Sequence, residues 1–197
     1  MEKEEREAVE TITELIEYYK GIFTILSSCA ARQLEEVTFR RTTIPVQELF
    51  DAAGKYFRKV MKNRMEKIEL IMEPMEAKVI GDVNQLRFLF ENLIDEALAV
   101  HEEGVIRLQA RKDNEYVRFL FTDTRREKSV TELNQLFYPN LARMTSGEKG
   151  ELRGTEYLIC KQIIRDHDEF AGRRGCRINA EPAEGGGFTV YFTIPRR

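Results

Sequence analysis

Cysteine and histidine are scarce in this sequence, and their placing excludes more than it offers. Cys29, Cys160 and Cys176 are odd in number and too scattered to make a Cys-x-x-Cys pair. A zinc site or a disulfide scaffold is therefore disfavoured, and buried thiols in a reduced, cytoplasmic protein are expected. The histidines are His101 and His167. Long apolar runs are missing too: none approaches the ~20 residues that cross a bilayer. The opening residues MEKEEREAVE are charged where a signal peptide is apolar. No membrane segment is expected, and the chain reads as cytoplasmic, either by itself or as the cytosolic part of a larger sensor. An excess of one charge is also lacking. With 31 Lys and Arg against 34 Asp and Glu, the net charge of -3 gives no general pull on nucleic acid or anionic lipid. Arg173-Arg174 and Arg196-Arg197 are short pairs with no aromatic platform beside them. They read as solvated surface, and no nucleic-acid partner is expected.

What is present is a globular composition, 42% hydrophobic and 33% charged over 197 residues. That length holds one ordinary domain and an additional element. Val9, Ile12, Ile16, Tyr19, Phe23, Leu26, Ala30 and Val37 follow helical spacing, with Gln33 the polar interruption. Leu15, Ile22 and Cys29 recur every seven residues beside that stripe and widen it into the face a bundle helix buries. Such a helix either folds back on its own domain or joins a second copy; the length of the stripe favours a homodimer. Residues 1–41 are thus expected to be a dimerisation helix and its linker.

Thr42-Thr43-Ile44-Pro45 continues that linker, and Val46, Leu49, Phe50, Ala53, Tyr56, Phe57, Val60 and Met61 mark an amphipathic helix after it. Ile68 to Met72 and Lys78 to Ile80 read as strands. Asp82 with Gln85 makes a capping pair for a helix running to about Val100. Val105 to Ala110 and Tyr116 to Thr122 read as a hairpin turning at Asp113-Asn114. Ser129 and Glu132 cap a short helix ahead of Leu133, Leu136 and Phe137. A helix from about Thr155 to Asp166 leads to strands around Arg177 to Ala180 and Phe188 to Ile194, joined across Gly185-Gly186-Gly187. The expected fold is α+β, with helices on one side of a sheet.

Some of these segments carry a specific likeness. Gly81-Asp82-Val83-Asn84-Gln85 through Glu91-Asn92-Leu93-Ile94-Asp95-Glu96-Ala97-Leu98 resembles the N-box helix of sensor histidine kinases. Phe121-Thr122-Asp123-Thr124 resembles the start of that family's first glycine box. Leu136-Phe137-Tyr138-Pro139 resembles its F box, with Asn140 in place of the terminal Phe. Gly154-Thr155 followed by Ile159-Cys160-Lys161-Gln162-Ile163-Ile164 resembles the second glycine box and its helix, and Gly187 to Pro195 resembles the closing strand. The resemblance, over about residues 44 to 197, implies a two-layer α/β sandwich of the Bergerat type, with ATP under a lid of roughly residues 125–153. The domain is taken as residues 42–197.

Carried over residue by residue, the likeness implies nucleotide contacts from Asn92, Glu96, Asp123, Thr124, Gly154, Thr155 and Thr189. The family places two Asn one helical turn apart to help hold magnesium beside the triphosphate; here they are Asn92 and Glu96. A Glu oxygen is a legitimate magnesium ligand but adds negative charge beside phosphate. Asp123 matches the carboxylate that accepts a hydrogen bond from the adenine amino group. Where the family then has glycines for close backbone approach, this chain has Arg125, Arg126 and Glu127. Those side chains either fill the nucleotide's space or reach its phosphates. Gly147, Gly150 and Gly154 are present, but Glu156 and Tyr157 put an anion and a bulky ring where small residues admit polyphosphate. A compensating set is expected, with Arg125 or Arg126 paired to Glu96, Asp123 or Glu156. Neither histidine lies in the His-Glu-x-x-Arg-x-Pro context of a phospho-accepting residue, and His167 is expected to have a capping or packing role.

The functional expectation is a degenerate histidine-kinase-like signalling module working through dimerisation and partners, a response regulator or another signalling protein. Two alternatives stand beside it. One is a working kinase domain using ATP and magnesium on a His outside this segment, for which Asn92, Asp123 and Lys161 speak. The other is a switch that binds nucleotide without turnover.

Overall fold

A computed structural model describes position 12, residues 39–138 and residues 155–197. Most of the expected dimerisation helix, the lid after Tyr138, and Gly147, Gly150 and Gly154 lie outside the described residues. The elements are β1 (Thr42–Pro45), α1 (Val46–Met61), β2 (Ile68–Glu73), β3 (Lys78–Gly81), α2 (Val83–Leu98), β4 (Gly104–Asp113), β5 (Tyr116–Asp123), α3 (Val130–Gln135), α4 (Thr155–Phe170), β6 (Ile178–Pro182) and β7 (Phe188–Pro195).

Strict alternation organises the sheet. Along β5, Val117, Phe119 and Phe121 are buried while Tyr116, Arg118, Leu120 and Thr122 are half-exposed, so one face meets the helices and the other does not. The five strands run in the order β2-β4-β5-β7-β6, with β2 and β4 parallel and the other pairs antiparallel. The β4–β5 turn falls at Asn114, whose φ of 52° is one that Asn tolerates. On the helical side, Phe119 and Phe192 stack with centroids 5.0 Å apart, and Phe90 of α2 sits 5.8 Å from Phe119 and 5.6 Å from Phe192. Phe50 of α1 joins them 6.3 Å from Phe119. These rings lock both helices to the sheet, which gives the expected two-layer α+β sandwich of the Bergerat type.

Thr42–Pro45 departs from the linker expected there. It is a strand paired antiparallel to β3, from Thr42 opposite Gly81 to Pro45 opposite Lys78. Its single buried apolar residue, Ile44, offers no alternation to read; pairing to β3 makes it a strand, and Pro45 then serves as the residue before α1.

The start of α2 is tied to both ends of the fold. Asp82 Oδ1 accepts from the Asn84 and Gln85 amides at 2.9 and 3.1 Å, and its Oδ2 accepts from the Arg40 amide at 2.8 Å. The Asp82 amide donates to His167 Nε2 at 3.1 Å, while His167 Nδ1 donates to the Ile163 carbonyl at 2.8 Å. The edge of Phe39 meets the His167 ring at 4.9 Å. His167 is fully buried and has the structural role expected of it. No helix among the described residues is long and apolar enough to cross a membrane.

Candidate functional site

Three chain ends converge beneath α4: the last turn of α2, the end of β5 and the start of β7. Asp123 closes β5 opposite Phe188. The strands come so close there that a Cβ on Gly187, at φ 82°, would lie 2.1 Å from the Asp123 carbonyl oxygen, so only glycine is accommodated. Asp123 is 1% exposed.

Its carboxylate is engaged on every side. Arg125 Nε donates to Oδ1 at 2.8 Å and Arg125 Nη2 to Oδ2 at 2.9 Å, a two-pronged pair, and the Arg125 amide adds a bond to Oδ1 at 3.0 Å. The guanidinium, 1% exposed, is completed by the carbonyls of Ala97 at 2.6 Å and Glu102 at 3.0 Å. Those carbonyls belong to the C-terminal end of α2 and the turn after it, where unpaired acceptors and the helix dipole favour a cation. Gly104 makes room for this side chain: a Cβ there would meet Arg125 Cγ at 2.8 Å.

Arg126 approaches from the other side. Its Nε donates to Asp123 Oδ2 at 3.0 Å, its Nη1 lies 3.7 Å from Glu96 Oε1, and its guanidinium carbon sits 5.6 Å from the Phe188 ring centroid. Burial works against the charge of Arg126, but the fields of Asp123 and Glu96 and the hydrogen bond to Asp123 outweigh it, and the net shift is upward. Two carboxylates thus face two guanidiniums in a cluster shielded from water, where such pairs are strong and costly to break. Tyr157, 3% exposed, packs edge-on against Phe137 at 5.8 Å. Burial first, then Glu96, pushes its phenol well above the usual range, so it stays neutral.

The compensating set expected from the sequence is therefore present among Glu96, Asp123, Arg125 and Arg126. Asn92 and Glu96 share one face of α2 and both are buried, but the Asn92 amide is turned back to the Phe88 carbonyl at 2.7 Å. Thr124 donates its hydroxyl to the Val105 carbonyl at 2.8 Å. Thr189 lies apart from these residues. Its hydroxyl meets that of Thr122 at 2.8 Å on the sheet face away from the helices, because Thr189 is one residue out of phase with Asp123's partner. Phe188 takes the inward position, with Lys128 5.5 Å from its ring. Gly104 and the Ala97 carbonyl were also missed; neither carries a side-chain signal. Lys161 donates to the Phe137 carbonyl at 3.3 Å and lies 3.8 Å from the Tyr138 ring centroid. Glu156 is on the first turn of α4. Among the described residues no group of His, Cys, Asp and Glu side chains is arranged to hold a metal ion by itself.

Known structures share this frame. A mycobacterial sensor histidine kinase, MprB, matches with 18% identity over 80% of this chain and 98% of its own, at a TM-score of 0.57. The histidine kinase ThkA, solved in complex with the response regulator protein TrrA, matches with 19% identity over 91% of this chain and 48% of its own, TM-score 0.66. Full-length ShkA, solved in complex with AMPPNP, matches with 15% identity over 98% of this chain and 39% of its own, TM-score 0.67. At these identities the likeness establishes the fold. Comparison with curated proteins gives no sequence match. The sequence profile described as "Histidine kinase-, DNA gyrase B-, and HSP90-like ATPase" matches residues 81–197, and the chain belongs to that family.

Proposed function

We propose that this chain is a histidine-kinase-like signalling module whose nucleotide site is filled from within, acting through dimerisation and partner contacts and not through phosphoryl transfer. The observation that carries the reading is the buried two-pronged pair between Arg125 and Asp123. An adenine amino group needs an Asp123 oxygen to accept its hydrogen bond, and both oxygens already accept from guanidinium groups. Displacing one partner of a buried pair costs about 3–5 kcal/mol, which at about 1.4 kcal/mol per tenfold weakens binding by roughly two to three and a half orders of magnitude. Magnesium fits poorly beside it: the Glu96 carboxylate, which would share the ion with the Asn92 side-chain oxygen, has the Arg126 cation 3.7 Å away. Arg125, Arg126 and Tyr157 are read as the blocking groups, with Glu156 adding negative charge at the phosphate end.

The homodimer through the N-terminal helix is part of the proposal, resting on the heptad stripe. So is a response regulator or other signalling protein as partner, a reading supported by the likeness to ThkA. Titration calorimetry of the full chain with ATP and ADP, each with and without magnesium, tests it. No heat and no thermal shift at millimolar nucleotide is the expected result; tight, magnesium-dependent binding sinks it.

A second reading, an active kinase domain serving a His outside this segment, draws on the retained Asn92, Asp123 and Lys161 and on the likeness to AMPPNP-bound ShkA. It requires Arg125 and Arg126 to swing out and predicts magnesium-dependent transfer to an added acceptor. Binding without turnover would indicate a nucleotide switch.

A further inference from the structure

The face of the sheet turned away from α1, α2 and α4 carries a second cluster of arginines, unrelated to the nucleotide site. Arg107, Arg111, Arg118 and Arg177 all fall on it. Arg107 is opposite Thr122, Arg111 is directly opposite Arg118, Arg118 is opposite Thr193, and the Thr193 amide bonds the Arg177 carbonyl. Like charges directly opposite each other on neighbouring strands are destabilising. Arg118 is offset by Asp113 at 2.7 Å. Arg107, Arg111 and Arg177 are exposed and have no ion pair among the described residues.

Between the arginines lie half-buried Tyr191 and Leu120, the Tyr191 ring 5.1 Å from the Arg118 guanidinium carbon, and half-buried Ile71 flanks Arg107 on the edge strand β2. Arginine and tyrosine together are the residues that anchor protein interfaces. The carboxylates of this face, besides Asp113, sit on the edge strands, Glu69 and Glu73 on β2 and Glu181 on β6. Positive charge therefore runs across β4, β5 and the residue leading into β6, with carboxylates along the outer strands on both sides.

We propose that this open sheet face docks a partner protein that presents a short run of carboxylates with apolar side chains between them. The carboxylates meet Arg107, Arg111 and Arg177, and the apolar side chains rest on Tyr191 and Leu120. A limited acidic stretch fits between the acidic edges, whereas a continuous polyanion such as a nucleic acid must pass over Glu69, Glu73 or Glu181. The surface works whether or not the opposite side of the sheet binds nucleotide.

The test is fluorescence anisotropy of the full chain with a labelled peptide of alternating Glu and Leu. The unlabelled peptide, a single-stranded oligonucleotide of equal length and anionic phosphatidylserine vesicles serve as competitors. Binding is expected that weakens at least about tenfold when salt rises from about 50 to about 200 mM and is lost in Arg107→Glu/Arg111→Glu. Arg111→Glu alone should weaken binding while its melting temperature stays level or rises, since it replaces a like-charge pair with an opposite one. A chain that leaves the peptide free, variants that bind as well as the parent, or an oligonucleotide or vesicle that displaces the peptide at lower concentration than the unlabelled peptide does, each overturns the proposal.

Discussion

Arg125 is held by five hydrogen bonds to three residues, Asp123, Ala97 and Glu102, counting its own amide. On the proposed reading those contacts are what nucleotide would have to replace. Arg125→Ala/Arg126→Gly should therefore gain ATP affinity by about two orders of magnitude, read by calorimetry, while losing several kcal/mol of stability because Asp123 and Glu96 are left buried without their cations. A double variant that folds, as judged by circular dichroism, and still ignores nucleotide would mean that the guanidiniums are not what closes the site. Gly187 makes the opposite kind of demand. Gly187→Ala would put a methyl 2.1 Å from a backbone oxygen at a positive φ. A loss of at least about 2 kcal/mol, measured by denaturant unfolding, is expected from backbone strain and overpacking.

At the level of elements, helix and strand types were readable because their signals are local. The stripe of Leu86, Leu89, Phe90 and Leu93, the Asp82 cap, and the Ser129 and Glu132 capping box all appear in the sequence as spacings, and all appear in the fold. β1 was not readable, since its pairing with β3 is set by residues more than thirty positions away. The face on which the Thr189 hydroxyl lies was unreadable for a related reason. A shift of one residue along a strand reverses its face, and the phase became plain only from the pairing of Asp123 with Phe188. His167 joins α4 to α2 in its neutral form. Burial lowers its pKa from the ordinary 6.5, against the opposing pull of its bonds to Ile163 and Asp82 and of the charges on Asp82 and Asp166. The unfolded chain therefore takes up a proton that the folded chain refuses. Stability from this group is whole above about pH 6.5 and falls as pH drops from there towards the lowered folded value. Unfolding free energies measured from pH 8 down to pH 5.5 should show that decline, and His167→Gln should flatten it; an unchanged slope would remove His167 as its source.

For the molecule as a whole, the sandwich was legible because its core is periodic and its motifs fall in family order, while the state of its site was only half legible. The sequence supplies two extra cations and an extra anion near Asp123 and suggests that some of them pair; geometry says which, with both arginines on Asp123 and Arg126 also near Glu96. On the proposed reading, assembly rests on the helix carried by residues 1–38 of the 1–41 segment, whose heptad stripe implies self-association. Removing them should turn a dimer into a folded monomer in sedimentation experiments, and a truncated chain that stays dimeric would move the contact elsewhere. Arg125 in its socket has a wider implication if the proposed reading holds. A protein that supplies its own occupant for Asp123 takes no reading of the cell's energy charge: falling ATP and rising ADP would leave it unchanged, and a starved cell and a fed one would meet the same signalling surface.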